Sequence, residues 1–366
     1  MDEMNRDLLS MMESKALRGV AILGIILHNY CHFLGFAVKE NEYQFDAERP
    51  KRFWEVLTTF DHDLFVHLFS FLGHYGVPIF LFVSGFGLVM KYENRSGSDS
   101  GKLPALRKSW FVYHFLKLLR LMILGYIVFI AVYVSRHPAD AAAAFSVDKV
   151  IAQLTMVINF VFTRPDKAIL PGPYWFFGLM IQLYLLYQLV FYRWRNVATV
   201  VVAIVLCWLI QVFAAQWNPF DFNLLNYVRY NFIGGVMPFG AGILYARHGR
   251  QISKVGYCAV LIISAIVVLE GGMWFHSWMW VPLFVITGAV ATVKLLPSWL
   301  LSPAAWFGAL SSALFVMHPV VREVVISHYR SIDVYYGIAV YLLAAVALSM
   351  LLQYVLKYIP SPKQKK

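Results

Sequence analysis

Residues 18–33 read "RGVAILGIILHNYCHF", a run whose only formal charge is the arginine that opens it. Two imidazoles, His28 and His32, lie four positions apart towards its far end. About 20 apolar residues at ~1.5 Å rise per residue cross a hydrocarbon layer of ~30 Å. The stretch and its neighbours therefore read as a membrane helix, and the pattern recurs along the chain. Ten spans meet the criterion, at roughly 17–36, 66–90, 110–134, 174–193, 197–215, 231–247, 255–270, 275–294, 305–326 and 334–358. The apolar piece 150–163 is too short for an eleventh and reads as interfacial or re-entrant. The expected fold is all-α and polytopic, with about ten transmembrane helices in a single domain over 1–366.

Composition agrees. The chain is 60% hydrophobic and 14% charged, against about 25% charged in a soluble domain. A net charge of +11 does not point to nucleic acid, because the cations sit mostly in short loops. Lys91, Arg95, Lys102, Arg107, Lys108, Arg195, Arg250, Lys254, Lys363, Lys365 and Lys366 fall on one side of the ten-span topology, opposed by Glu93 and Asp99. The loop 37–65 on the other side has four basic and seven acidic residues. The positive-inside rule then places both termini in the cytoplasm. Residues 1–16 form a cytoplasmic segment without signal-peptide features, residues 359–366 a basic tail, and "SGSDSG" at 96–101 a cytoplasmic turn. Cys31, Cys207 and Cys258 fall inside apolar runs, with no disulfide framework and no zinc spacing.

An ionisable group at bilayer depth is costly and so marks function by default. Counted from Arg18 at the inner end of the first span, His28 lies ~15 Å and His32 ~21 Å along the helix. His318 lies ~20 Å along the ninth span, and His74 ~12 Å below the outer surface in the second. Four histidines from three spans in one layer describe a polar chamber. At 100° per residue His28 and His32 share a face, as do His318 and Arg322, while Asn29 lies about 20° from the face of Arg18. Geometry leaves open whether His28, His32 or both line the chamber.

Four stretches together resemble the acyltransferase-3 family of integral membrane acyltransferases: "LRGVAILGIILHNYCHF", "GVPIFLFVSGFGL" (76–88), "GPYWFFGLMIQLYLL" (172–186) and "FGALSSALFVMHPVV" (307–321). The likeness covers nearly the whole chain. It implies acyl transfer from cytoplasmic acyl-CoA to a hydroxyl on the far side, with a first-span histidine as the catalytic group. The family pattern places ten residues between the cation and that histidine. Arg18 and His28 enclose nine, and the ten-residue spacing lands on Asn29. No SGNH hydrolase-like domain is expected beyond the last span, so transfer would be completed within the membrane domain.

The residues suit that chemistry. Arg18, Arg120 and Lys117, with Lys108, gather near the inner face, where arginine matches the phosphates of CoA. His28 or His32 can serve as general base or as a covalent acyl relay, and His318 can orient the base or stabilise an oxyanion. Tyr174 and Trp175, like Trp54, could stack on a sugar, but an interfacial aromatic belt is the better reading of each taken singly. Ser84, Ser311 and Ser312 lack the elbow of a serine triad. Asp61, His62, Asp63 and His67 carry no zinc signature, so no metal and no permanently bound cofactor is expected. The leading expectation is an O-acyltransferase, acetyl being the expected group, in a bacterial cytoplasmic membrane. Its partners are the bilayer, acyl-CoA as co-substrate and a glycan or lipid-linked saccharide acceptor. A transporter or flippase with a histidine proton relay is the alternative. A bis-histidine haem suits poorly, since His28 and His32 share one helix.

Overall fold

The computed structural model describes residues 8–93, 106, 108–330 and 332–364. Arg95, Lys102, Arg107, Lys365, Lys366 and the whole 96–101 turn, Asp99 included, lie outside the described residues, as do residues 1–7. The described residues contain helices and no strand. In chain order the main elements are α1 (Met11–Cys31), α2 (Glu48–Thr59), α3 (Leu64–Leu72), α4 (Gly76–Tyr92), α5 (Lys108–Arg136), α6 (Val147–Leu154), α7 (Trp175–Leu186), α8 (Val197–Gln216), α9 (Phe232–His248), α10 (Lys254–Glu270), α11 (Val281–Leu295), α12 (Ser298–Tyr329) and α13 (Val334–Tyr358).

Among the described residues, seven helical stretches are long and apolar enough to cross a membrane: Leu64–Tyr92, Lys108–Arg136, Gly172–Phe191, Val197–Gln216, Lys254–Met273, Ser298–Tyr329 and Val334–Tyr358. Three further expected spans are helical but shorter or more polar. These are α1 with 21 residues, α9 with 17 and α11 with 15. The first span also shifts. Ser10 and Glu13 form a reciprocal capping box that starts α1 at Met11 rather than 17, satisfying two otherwise unpaired amide donors. The helix ends at Cys31 rather than 36, so His32 is its C-cap and not an interior residue. The 150–163 stretch is no span. It breaks into α6 and a four-residue turn, Ile158–Val161, around Met156, whose φ of 58° is left-handed.

The chain divides into two compact units. The first comprises Met1–Pro104, Asn196–Val212 and Gly235–Ser311, and the second Ala105–Arg195, Phe213–Gly234 and Ser312–Lys366. Membrane helices gain little from hydrophobic burial against one another, so they pack where small residues let backbones approach. In the first unit this happens three times. A Cβ on Gly19 would collide with the Ala304 carbonyl, and one on Gly308 with the Lys15 carbonyl, fixing α1 against the start of α12. A Cβ on Gly73 would meet the Gly24 carbonyl and the His28 Cβ, and one on Gly76 the Ala21 carbonyl, fixing α1 against the α3–α4 segment. Gly85 and Gly242 make the same exchange with Phe239 and Phe82 between α4 and α9. Ion pairs close the ends near the N-terminus of α1: Lys294 Nζ to Glu13 Oε2 at 2.9 Å, and Arg247 to Glu93 through two bonds of 2.8 and 2.9 Å.

The second unit is pinned by buried polar groups. Asn159 donates to the carbonyls of Trp175 (2.7 Å) and Tyr230 (2.8 Å). Asn231 donates to Asn159 O at 3.0 Å and accepts from Gln182 at 2.7 Å. Without water at depth each such bond replaces a costly orphan, and together they hold the 150–163 stretch in place.

The close approach at Gly73 makes a simple prediction. Gly73→Val overpacks the α1 contact and is expected to cost about 1–3 kcal/mol. Gly87→Val lies on open space in α4 and is expected to cost much less. Thermal unfolding of the two variants in one detergent compares them directly.

Candidate functional site

The glycine seam determines what lies beside what. Since α1 rides on Gly73 and Gly76, His28 faces the α3–α4 junction at close range. Its Nδ1 donates to the Ser70 carbonyl at 2.8 Å. The ring of His74 stands 5.9 Å from that of His28, and its own Nδ1 donates to Phe71 O at 2.7 Å. His32, one turn beyond His28, has its ring 5.1 Å away. Three of the four layered histidines thus meet in the first unit. His318 belongs to the second unit, fully buried, with Nδ1 turned back to Leu314 O at 3.0 Å. Arg322, also buried, follows it one turn later.

A carboxylate absent from the sequence expectations completes the cluster. Glu40 Oε2 lies 2.8 Å from His32 Nδ1 and 4.0 Å from His28 Nδ1. It is 5% exposed, His28 7%, while the His32 side chain is one-third exposed. Burial alone would raise the Glu40 carboxyl. The imidazoles of His28 and His32 outweigh burial and hold it well below the usual carboxylate range. An anionic Glu40 accepts the Nδ1 proton of His32, which leaves His32 Nε2 as a lone pair with no hydrogen-bond partner among the described residues. That is the orientation and tautomer a general base needs.

The segment carrying Glu40 is seated by specific contacts. Ser70 Oγ donates to Val38 O at 2.7 Å, and Val38 N donates to His67 Nδ1 at 3.1 Å. The Trp278 indole donates to Asn41 O at 2.7 Å, and its ring lies 5.5 Å from that of Phe45. Beneath α2, Phe53 stacks on Phe71 at 4.1 Å, with Val38 in the same apolar cluster. Lys39 reaches back to the His32 carbonyl at the end of α1.

The family model for the acyltransferase domain matches residues 13–356, nearly the entire chain. The chain belongs to the acyltransferase-3 family. No curated protein and no solved structure matches it. In this family member the other expected site residues have diverse settings. Arg18 is an exposed residue in the second turn of α1. Lys117 is exposed on α5, and Arg120 donates to the Leu356 and Ile359 carbonyls at the end of α13, as cations commonly do at helix C-termini. Asn29 donates to Ile25 O within its own helix at 2.9 Å. Tyr174 is fully buried and donates to Val316 O at 3.1 Å, in room left by Gly125. Trp175, also buried, packs edge-on against Tyr230 at 5.5 Å. Of the 61–67 group, Asp61 lies 3.7 Å from His67, and His62 pairs with the adjacent Asp63 at 3.4 Å.

Glu40, Ser70 and Trp278 carry the missed part of the site. The sequence shows an acidic 37–65 loop, but seven residues of irregular chain separate His32 from Glu40, and no periodicity reports where such a loop folds back. Trp278→Phe keeps the ring and removes the donor to Asn41, leaving a buried acceptor unpaired at about 1–3 kcal/mol. Hydrogen–deuterium exchange over 38–46 is expected to rise while α1 stays protected.

Proposed function

We propose that the chain moves an acyl group, acetyl in the first instance, from cytoplasmic acyl-CoA to a hydroxyl of an extracytoplasmic or lipid-linked glycan, with His32 as general base and Glu40 as its orienting partner. The supporting observation is the 2.8 Å contact of His32 Nδ1 with a buried carboxylate, beside an Nε2 that is left to accept a proton. His28 is less suited to meet an acceptor, being buried with its Nδ1 committed to Ser70 O. In the direct reaction His32 Nε2 takes the hydroxyl proton as the oxygen attacks the thioester carbonyl. The C–S bond then breaks, and the proton passes to the departing CoA thiolate. The products are the ester and free CoA. Glu40 keeps its negative charge throughout and stabilises the imidazolium between the two transfers, as a carboxylate does for a histidine base.

Arg18, on the part of α1 expected nearest the cytoplasm, is the proposed contact for CoA phosphates. Arg120 is the weaker candidate because the end of α13 already occupies its guanidinium. Family membership favours this reading over transport.

Purified protein, radiolabelled acetyl-CoA and envelope glycans provide the assay. Removal of a positioned base is expected to lower turnover about 10²–10⁴-fold. His32→Ala should fall in that range, and Glu40→Gln should lower turnover more than it raises KM. Arg18→Ala should raise the KM for acetyl-CoA. Full turnover in both His32→Ala and Glu40→Gln would remove the dyad from the mechanism.

A further inference from the structure

Among the described residues, His28, His32 and Glu40 each offer one ligand atom, and the three atoms all lie within 4.8 Å of one another. We propose that this cluster binds one divalent transition ion, of which zinc fits best, and that the ion blocks the transfer reaction. The blocking half of the inference rests on the function proposed above.

The ligand chemistry favours zinc. Two imidazoles and one carboxylate are a recurrent three-ligand zinc set, leaving a fourth position to water. Zinc bonds of about 2.0–2.2 Å place tetrahedral ligand atoms about 3.4 Å apart. The separations here straddle that value, from 2.8 Å between His32 Nδ1 and Glu40 Oε2 to none above 4.8 Å. Small side-chain rotations suffice, because one helix already holds both histidines on one face. The Ser70 carbonyl accepts from His28 Nδ1, and a His28 ring turned to bind the ion through Nε2 would keep this as the outer contact that fixes a ligating imidazole. Burial of His28 and Glu40 removes most competing water from two of the three ligands.

The same geometry makes ion and base exclusive. A zinc ion between His32 Nδ1 and Glu40 displaces the proton they share. The neutral ring then carries its hydrogen on Nε2, and the lone pair that would accept the acceptor's proton is gone. Lys39, whose ammonium lies on the His32 carbonyl, places a like charge near the ion and weakens binding.

Zinc competition against a chromophoric chelator, with full-length protein in detergent, tests the site. One equivalent is expected, with affinity at least tenfold weaker in His28→Gln and in Glu40→Gln. His74→Gln should bind as the parent does, and Lys39→Met several-fold more tightly. Cobalt in place of zinc should give visible absorption of four-coordinate intensity, lost in Glu40→Gln. Glu40→Asp should retain weakened binding, and monodispersity of each variant separates ligand loss from misfolding. No saturable zinc, or unchanged affinity in a monodisperse Glu40→Gln, overturns the site. Acyl transfer over the same zinc series distinguishes the two proposals. Inhibition that tracks occupancy supports both. Transfer that persists at full occupancy overturns the block. Zinc bound by a protein that never transfers acyl groups leaves the metal site standing and overturns the enzyme reading.

Discussion

Backbone contact between α1 and the α3–α4 segment is the constraint on which the candidate site depends. At Gly24, Gly73 and Gly76 no side chain intervenes, and the two elements meet at carbonyl range. In a bilayer this is how helices gain attraction, through dispersion over a close and extended surface. It also sets a coordinate: with Gly73 seated on Gly24, His28 falls against Ser70 and His74 with little freedom to move elsewhere. The imidazole cluster is thus a by-product of the seam, and any residue larger than glycine there would move the chemistry as well as the helix.

The cluster then solves an electrostatic problem. A carboxylate as buried as Glu40 is costly unless charge or hydrogen bonds compensate it. The surrounding imidazoles supply that compensation, since each ring can donate one proton and keep one lone pair. The arrangement stabilises the anion, fixes the His32 tautomer and leaves an imidazole lone pair on the more exposed of the two rings. Second-unit polar groups such as Asn159 and Asn231 serve a different end. They satisfy backbone where the chain turns within the expected membrane depth, and their partners are carbonyls and amides instead of titrating groups.

Much of the helical frame could be read from the sequence. Hydropathy located every long apolar helix, and the shortness of 150–163 was enough to deny it a span. The bounds of α1 were less legible, because a capping box can start a helix in polar sequence, before any apolar periodicity begins. Depth along the spans put His28, His32 and His74 in one layer, and the placement holds although His32 caps α1 and His74 lies in the short turn between α3 and α4. The same reasoning reached Glu40 only as part of an acidic loop, because its position depends on a stacked ring pair and an indole hydrogen bond far along the chain. The aromatic residues Tyr174 and Trp175 show the converse limit. The sequence favours an interfacial belt over a sugar platform for each, and in the structure both are buried, with Tyr174 hydrogen-bonded to Val316 O.

The seating of the Glu40 segment has a mechanical meaning. His32 ends a rod whose every turn is tied by backbone bonds, whereas its carboxylate rides on a strap held by a few side-chain contacts to Asn41, Val38 and Phe53. The two halves of one proton-handling pair therefore have different stiffness. Under the mechanism proposed above, lifting the strap would separate Glu40 from His32 without touching the imidazole, and the integrity of the pair would depend on a loop as well as on the helices that frame it.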